Sequence, residues 1–159
     1  MSEEVRQSYL NSNIRLLDKF STKEIDELLS TGLISEFNLH DRIILENDQD
    51  LNIYIILNGE VSVWRKNVPV ARLKKGDAFN ETKIFIPSPN KISVMAECQT
   101  TILKLEREKL MDYFHRKPER LFKIFTLNIL TTLFKKLEEY EEVLVSHYFK
   151  TLKYLQKDL

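Results

Sequence analysis

Ile53-Tyr54-Ile55-Ile56-Leu57-Asn58-Gly59-Glu60-Val61-Ser62-Val63-Trp64 is the stretch that decides the fold class. Five consecutive apolar residues of strand length predict a buried strand. Asn58-Gly59 follows, a dipeptide favoured in tight hairpins because both central positions need positive φ. Residues 61–64 then read as the return strand, with alternating faces.

Working outward, the same period continues. Asn67-Val68-Pro69 reads as another turn, 70–73 as a strand, and Lys75-Gly76-Asp77 as a further turn. Beyond Pro87 and Pro89 two more strands are expected, near 91–96 and 101–105. Many short strands separated by frequent turns imply an antiparallel barrel or sandwich. Upstream, over 14–31, Leu16, Leu17, Phe20, Ile25, Leu28 and Leu29 recur at helical spacing. Ser21 and Glu24 form a capping box, and Gly32 is expected to end the helix at its C′ position.

From 107 to the end the pattern is helical again, without glycine and with Pro118 as its one proline. Leu130, Phe134, Leu137, Leu144, Tyr148 and Leu155 line up as an apolar stripe, with Glu138, Glu139, Glu141 and Glu142 largely on the polar side. A helix of this length cannot bury its stripe on itself and needs the barrel or a partner helix. The expected class is therefore α+β: an antiparallel barrel or sandwich flanked by N-terminal helices and a long C-terminal helical region. The expected division is a polar leader over 1–13, a domain over 14–118 and a helical extension over 119–159.

Composition narrows the function. The 159 residues are 43% hydrophobic and 30% charged, as in ordinary globular proteins, with 24 basic against 24 acidic side chains. A net charge of zero supplies no basic field to gather nucleic acid, so no DNA partner is expected. No apolar run approaches the ~20 residues of a membrane span. The leader lacks the apolar region of a secretory signal. The single cysteine, Cys98, excludes an intrachain disulfide, reads as a buried or edge thiol, and agrees with the expected cytoplasmic location. His40, His115 and His147 are scattered, and neither a metal-binding spacing nor a catalytic triad, P-loop or dinucleotide fingerprint is visible. No catalytic residue, metal or cofactor is expected.

The order of motifs resembles the cyclic-nucleotide-binding domain. Tyr54 to Val63 is similar to that family's core hairpin, and Leu73-Lys74-Lys75-Gly76-Asp77-Ala78-Phe79 to the turn leading into its phosphate-binding cassette. Asn80-Glu81 stands where the family usually has Gly-Glu. Pro89-Asn90-Lys91-Ile92-Ser93-Val94-Met95-Ala96 is similar to the family's Pro-Arg-x-x-Thr-Val-x-Ala. The resemblance implies an antiparallel β-roll or jelly-roll barrel that takes a cyclic nucleotide, with the Glu accepting from the ribose hydroxyl and the Arg forking onto the phosphate.

Carried over residue by residue, Glu81 matches the ribose-binding Glu and Ser93 the usual Thr. Asn90 replaces the Arg. Asn80 replaces the Gly, and Thr82 and Lys83 replace small or apolar residues. Losing the Arg removes a charge-assisted contact of about 2–5 kcal/mol, so weak or no cyclic AMP binding is expected. Lys83 and Lys91 are either replacement cations or surface lysines. Glu81 is either a ribose acceptor or a helix cap. Trp64, Phe79 and Phe85 read as core.

The resemblance also implies that the helix after the barrel forms a dimer interface. Leu130, Phe134, Leu137, Leu144 and Tyr148 are its candidates, against the alternative that they pack back on their own barrel. The leading expectation is a non-enzymatic regulatory or interaction module that dimerises or binds a protein partner. The alternatives are a sensor of a cyclic mononucleotide or dinucleotide acting through Glu81 and nearby lysines, and a cupin-type enzyme.

Overall fold

The computed structural model describes residues 13–155, with side chains over 13–150. The expected leader therefore lies, apart from Asn13, outside the described residues, as does the side chain of Leu155. A 3-10 turn, Arg15–Leu17, and helix α1, Thr22–Leu29, precede eight strands. These are β1 Leu33–Phe37, β2 Arg42–Ile44, β3 Ile53–Asn58, β4 Glu60–Arg65, β5 Val68–Lys74, β6 Ala78–Phe79, β7 Ser93–Ala96 and β8 Thr100–Leu105. A second 3-10 turn, Glu81–Ile84, interrupts them, and helices α2, Arg107–His115, and α3, Glu119–Leu155, follow.

The strands form two four-stranded antiparallel sheets, ordered β1-β8-β3-β6 and β2-β7-β4-β5. The chain is thus the α+β β-roll with flanking helices that its sequence implies. The unbroken apolar run of β3 has a direct cause. Ile53, Ile55 and Leu57 pack with α1, α2 and α3 in one core, whereas Tyr54 and Ile56 point between the sheets into a second. A strand buried on both faces has no room for a polar alternation.

Two turns differ from their sequence reading. Asn58-Gly59 is not a hairpin, because β3 pairs with β8 and β6 while β4 pairs with β5 and β7. It is the corner at which the chain changes sheets. Gly59 alone has positive φ there, 90°, and a Cβ on it would lie 2.8 Å from the Gln99 carbonyl oxygen and 2.5 Å from Thr100 Oγ1. The tight hairpin with two positive φ values sits at Lys66 (49°) and Asn67 (62°), where Arg65 faces Val68. Val68 and Pro69 belong to β5 rather than to a turn. Pro69 is tolerated because β5 is an edge strand that need not donate on its free side.

The capping box forms as expected: Glu24 N donates to Ser21 Oγ at 3.3 Å and Ser21 N donates to Glu24 Oε2 at 2.7 Å. Gly32 is not a left-handed C′ residue. It is required because a Cβ would meet Leu103 Cδ1 at 2.6 Å, so it lets the chain pass close over β8. The C-terminal region breaks at 116–118 between α2 and α3, as Pro118 suggests. The inner face of α3 buries Leu121, Phe125 and Ile129 in the helical core. Asn128 on the same face donates to the carbonyls of Leu16 (3.1 Å) and Asp18 (2.7 Å).

Gly59→Ala is expected to lower unfolding free energy by about 2 kcal/mol or more, from left-handed strain and backbone contact. Urea denaturation reads this as a lower midpoint at unchanged slope. The α1 cap generates a pH effect. The Ser21 backbone N–H first, then its hydroxyl and the Arg120 and Lys117 charges, outweigh burial and hold the Glu24 carboxyl below its ordinary value. A lowered native value gives stability that is present above the ordinary carboxylate range and lost as pH falls through the native value. Glu24→Gln is therefore expected to flatten the acid side of the stability–pH curve and leave its alkaline side in place.

Candidate ligand-binding site

The site grows from β6. Phe79 pairs with Tyr54 on β3, and the two rings stack with centroids 5.1 Å apart inside the roll. Asn80 follows in the left-handed region, with φ 64° and ψ 14°. Asparagine is one of the few side chains that tolerate this conformation, which explains how it stands in for a glycine. Its amide nitrogen donates to the carbonyls of Asp50 (3.2 Å) and Asn52 (2.8 Å). The Tyr54 hydroxyl donates to the Asp50 carboxylate, whose other oxygen accepts from Asn52 N and Nδ2. Burial, then the bond to Asp50 and its charge, push the Tyr54 phenol up, so the hydroxyl remains a donor.

Past Asn80, the turn Glu81–Ile84 buries Glu81, Lys83 and Ile84. Glu81 is 3% exposed, and its Oε1 accepts from Lys136 Nζ of α3 at 2.5 Å. The same ammonium donates to the Ala78 carbonyl at 3.1 Å. Glu81 is thus ion-paired rather than a helix cap. Lys83 is not a solvated lysine. It is 7% exposed, and its Nζ donates to Ser88 O (2.7 Å), Ser88 Oγ (3.0 Å) and Pro89 O (3.1 Å). Burial and then the Lys91 charge lower its pKa. Arg107, at the start of α2, donates to the carbonyls of Lys83 and Ile84, both at 3.2 Å.

The rest of the predicted site lies on the return to the second sheet. Asn90 is 1% exposed; its N donates to Asp48 O at 2.8 Å and its carbonyl accepts from Asn47 N at 2.7 Å. Neither Oδ1 nor Nδ2 of its buried amide has a partner. Ser93 Oγ accepts from Glu46 N at 2.9 Å. Thr82 is half-buried and Lys91 exposed. Of the aromatics read as core, Phe79 is buried, Trp64 half-buried with its Nε1 donating to Ser62 Oγ at 2.7 Å, and Phe85 exposed. Cys98 is an exposed thiol on the loop between β7 and β8.

The sequence profile described as the cyclic nucleotide-binding domain matches residues 34–117, more than half of the chain. The chain belongs to the cyclic nucleotide-binding domain family. A crystal structure of a cyclic nucleotide-binding domain from Methylobacillus flagellatus KT is similar, at TM-score 0.74 and 23% identity, over 90% of this chain and 84% of that one. The Thermus thermophilus catabolite activator protein matches at TM-score 0.70 and 21% identity. That match covers 85% of this chain, which spans 63% of the Thermus protein's length. The c-di-GMP responsive global regulator CLP of Xanthomonas campestris matches at TM-score 0.69 and 15% identity, over 77% of this chain and 62% of that one. At such identities these structures share the fold. Among curated proteins none matches.

Lys136 is the site residue that sequence reading missed. It lies 55 positions from Glu81, so no local motif joins the two. A signal was present nonetheless: Lys136 falls four and three residues along from Ile129 through Leu133, on the inner face of α3. A lysine at such a position needs an acceptor within the body.

Lys83→Met is expected to leave the Ser88 and Pro89 carbonyls without their donor and to destabilise the chain by about 1–3 kcal/mol. Amide exchange over 86–90 is the matching readout and should accelerate more than exchange in β3.

Proposed function

We propose that the chain is a non-enzymatic regulatory module of the cyclic nucleotide-binding family, binding cyclic AMP weakly or not at all, and dimeric through α3. The observation that carries the reading is the division of α3 into two apolar faces. One is buried against its own roll. On the other, Leu127, Leu130, Phe134, Leu137, Leu144 and Tyr148 are all exposed. From 127 to 148 these follow the 3–4 spacing of a coiled-coil seam, interrupted once at Glu141. Every side chain over 137–150 is exposed, so over these residues α3 has no contact with its own body that would bury the seam. Packing back on the same barrel, the competing sequence reading, is therefore disfavoured for this face. A second copy offers the same stripe in the same register.

The cassette supports the ligand part of the reading. Asn90 carries no charge where the family's Arg stands. Lys83 has its ammonium on the chain's own oxygens, and Glu81 has its carboxylate on Lys136. Phe79, a side chain that would compete with a base for the roll's interior, is stacked on Tyr54. A second reading, a sensor of a cyclic mononucleotide or dinucleotide, draws on one observation: both amide atoms of the buried Asn90 are unpartnered. Glu81, Thr82, Lys91 and Ser93 would be its other contacts. The absence of a span is a narrower matter: among the described residues no helix is long and apolar enough to cross a membrane.

Sedimentation equilibrium tests the dimer. The full chain is expected to be dimeric at micromolar concentration, and Phe134→Glu with Leu137→Glu monomeric. Two monomers would refute it. Thermal unfolding tests the ligand part. Millimolar cyclic AMP, cyclic GMP and cyclic di-GMP are expected to leave the midpoint unchanged. Ligand at 100 times Kd would instead add about 2.7 kcal/mol to the native state, so a clear rise with any of them favours the sensor.

A further inference from the structure

Written as heptads, the outer stripe of α3 has Leu127, Phe134, Glu141 and Tyr148 at the a positions and Leu130, Leu137 and Leu144 at the d positions. Glu141 is the one charged residue among these seven, and no Lys, Arg or His stands within four residues of it on either side. Its neighbours one turn away are Leu137, Glu138, Leu144 and Val145. The other six seam residues are 44–68% exposed. Phe134 and Tyr148 alone offer about 200–300 Å² of the about 800 Å² per partner that a stable interface takes. Leu127 and Leu130 lie in the same turns as the buried Phe125, Asn128 and Ile129, beside the roll. A parallel copy covers them, whereas an antiparallel pairing of the free half of α3 would leave them bare.

Apart from Glu141, nothing in this stripe limits the number of copies. Two-stranded pairs are favoured by β-branched residues at a with Leu at d, and the other a residues here are Leu, Phe and Tyr. Tyr140 and Val145, at the g and e flanks, are exposed too and widen the apolar arc beyond a strict a/d strip. A face of that width suits more than one neighbour. In a parallel, in-register assembly every copy brings its Glu141 to one layer. Between two helices each side chain can lay its methylenes along the seam and carry its carboxylate out to water. Among three or four helices the layer closes, and three or four like charges share a dry core without a cation.

We propose that Glu141 limits the self-association of α3 and holds it at two copies: the outer face accepts a second copy of this chain in parallel, and the layer of carboxylates refuses a third. This deepens the dimer reading and rests on it. The test is sedimentation equilibrium of the full chain, of Glu141→Leu and Glu141→Lys, and of Glu142→Leu as control. Glu142 is exposed and adjacent but lies off the seam at b, so its substitution makes the same change of charge and apolarity elsewhere. The unaltered chain, Glu141→Lys and Glu142→Leu are expected at the mass of two copies. Glu141→Leu is expected at three or four, persisting to concentrations at least about tenfold lower. Glu141→Leu remaining at two copies, both Leu variants enlarging alike, or an unaltered chain larger than two copies would each overturn the proposal. A dimer that Phe134→Glu with Leu137→Glu abolishes and Glu141→Leu leaves at two copies overturns this proposal alone. A monomeric unaltered chain sinks the dimer reading. Glu141→Leu then decides the present one: assembly keeps the carboxylate as the limit on association, and a monomer overturns it.

Discussion

The constraint on which the rest depends is the burial of β3 on both faces. Its odd-numbered apolar residues hold the helices and its even-numbered ones hold the opposite sheet. A single strand therefore supplies both cores. It also supplies the pairing partner of β6, from which the cassette is suspended, and it carries Tyr54, whose hydroxyl anchors the Asp50 loop beneath Asn80. The packing of α3 and the placing of Glu81 are consequences of one strand's position. Close packing makes such a strand intolerant of shifts, so its neighbours inherit a fixed geometry.

Much of the fold was legible because these determinants are local. The run over 53–57, the Ser21–Glu24 cap and the break at Pro118 each act within a few residues. What misled was the meaning of Asn58-Gly59. A positive φ is needed there, as the dipeptide implies, but for a corner between sheets rather than a hairpin. Local sequence specifies the torsion and not the partner strand. The actual hairpin uses Lys66-Asn67, where two non-glycine residues accept positive φ because the paired strands on either side over-determine the turn.

The site was legible in part. Position by position, 79–96 could be set against the family's cassette, and the structure has a 3-10 turn at Glu81–Ile84 and a return strand at Ser93–Ala96 within that stretch. The roles of the charged residues were not legible: that of Glu81 is decided by Lys136, 55 positions away, and that of Lys83 by backbone carbonyls of the loop that follows it, which no side-chain motif marks. Burial inverts the ordinary reading of a lysine. On a surface it is solvated; with Lys83 enclosed, the ammonium must find oxygens, and those nearest are the chain's own.

Taken together, the polar groups of the cassette are directed inward at the protein. Arg107 closes the end of the 3-10 turn, Lys83 closes the loop after it, Asn80 closes the loop beneath it, and Glu81 reaches α3. Such a set makes a rigid cassette, because removing any member strands a buried partner. Rigidity of this kind favours a surface that is presented over a pocket that must close on something. Asn90 departs from the pattern. Its backbone is bound on both sides by 47–48, which fixes the residue in place, while its amide has no partner at all. The same position thus combines the strongest local reason for a buried polar contact with the weakest means of gripping an anion, since an amide has hydrogen bonds to offer and no charge. What this position offers a ligand is the chemistry of a neutral group.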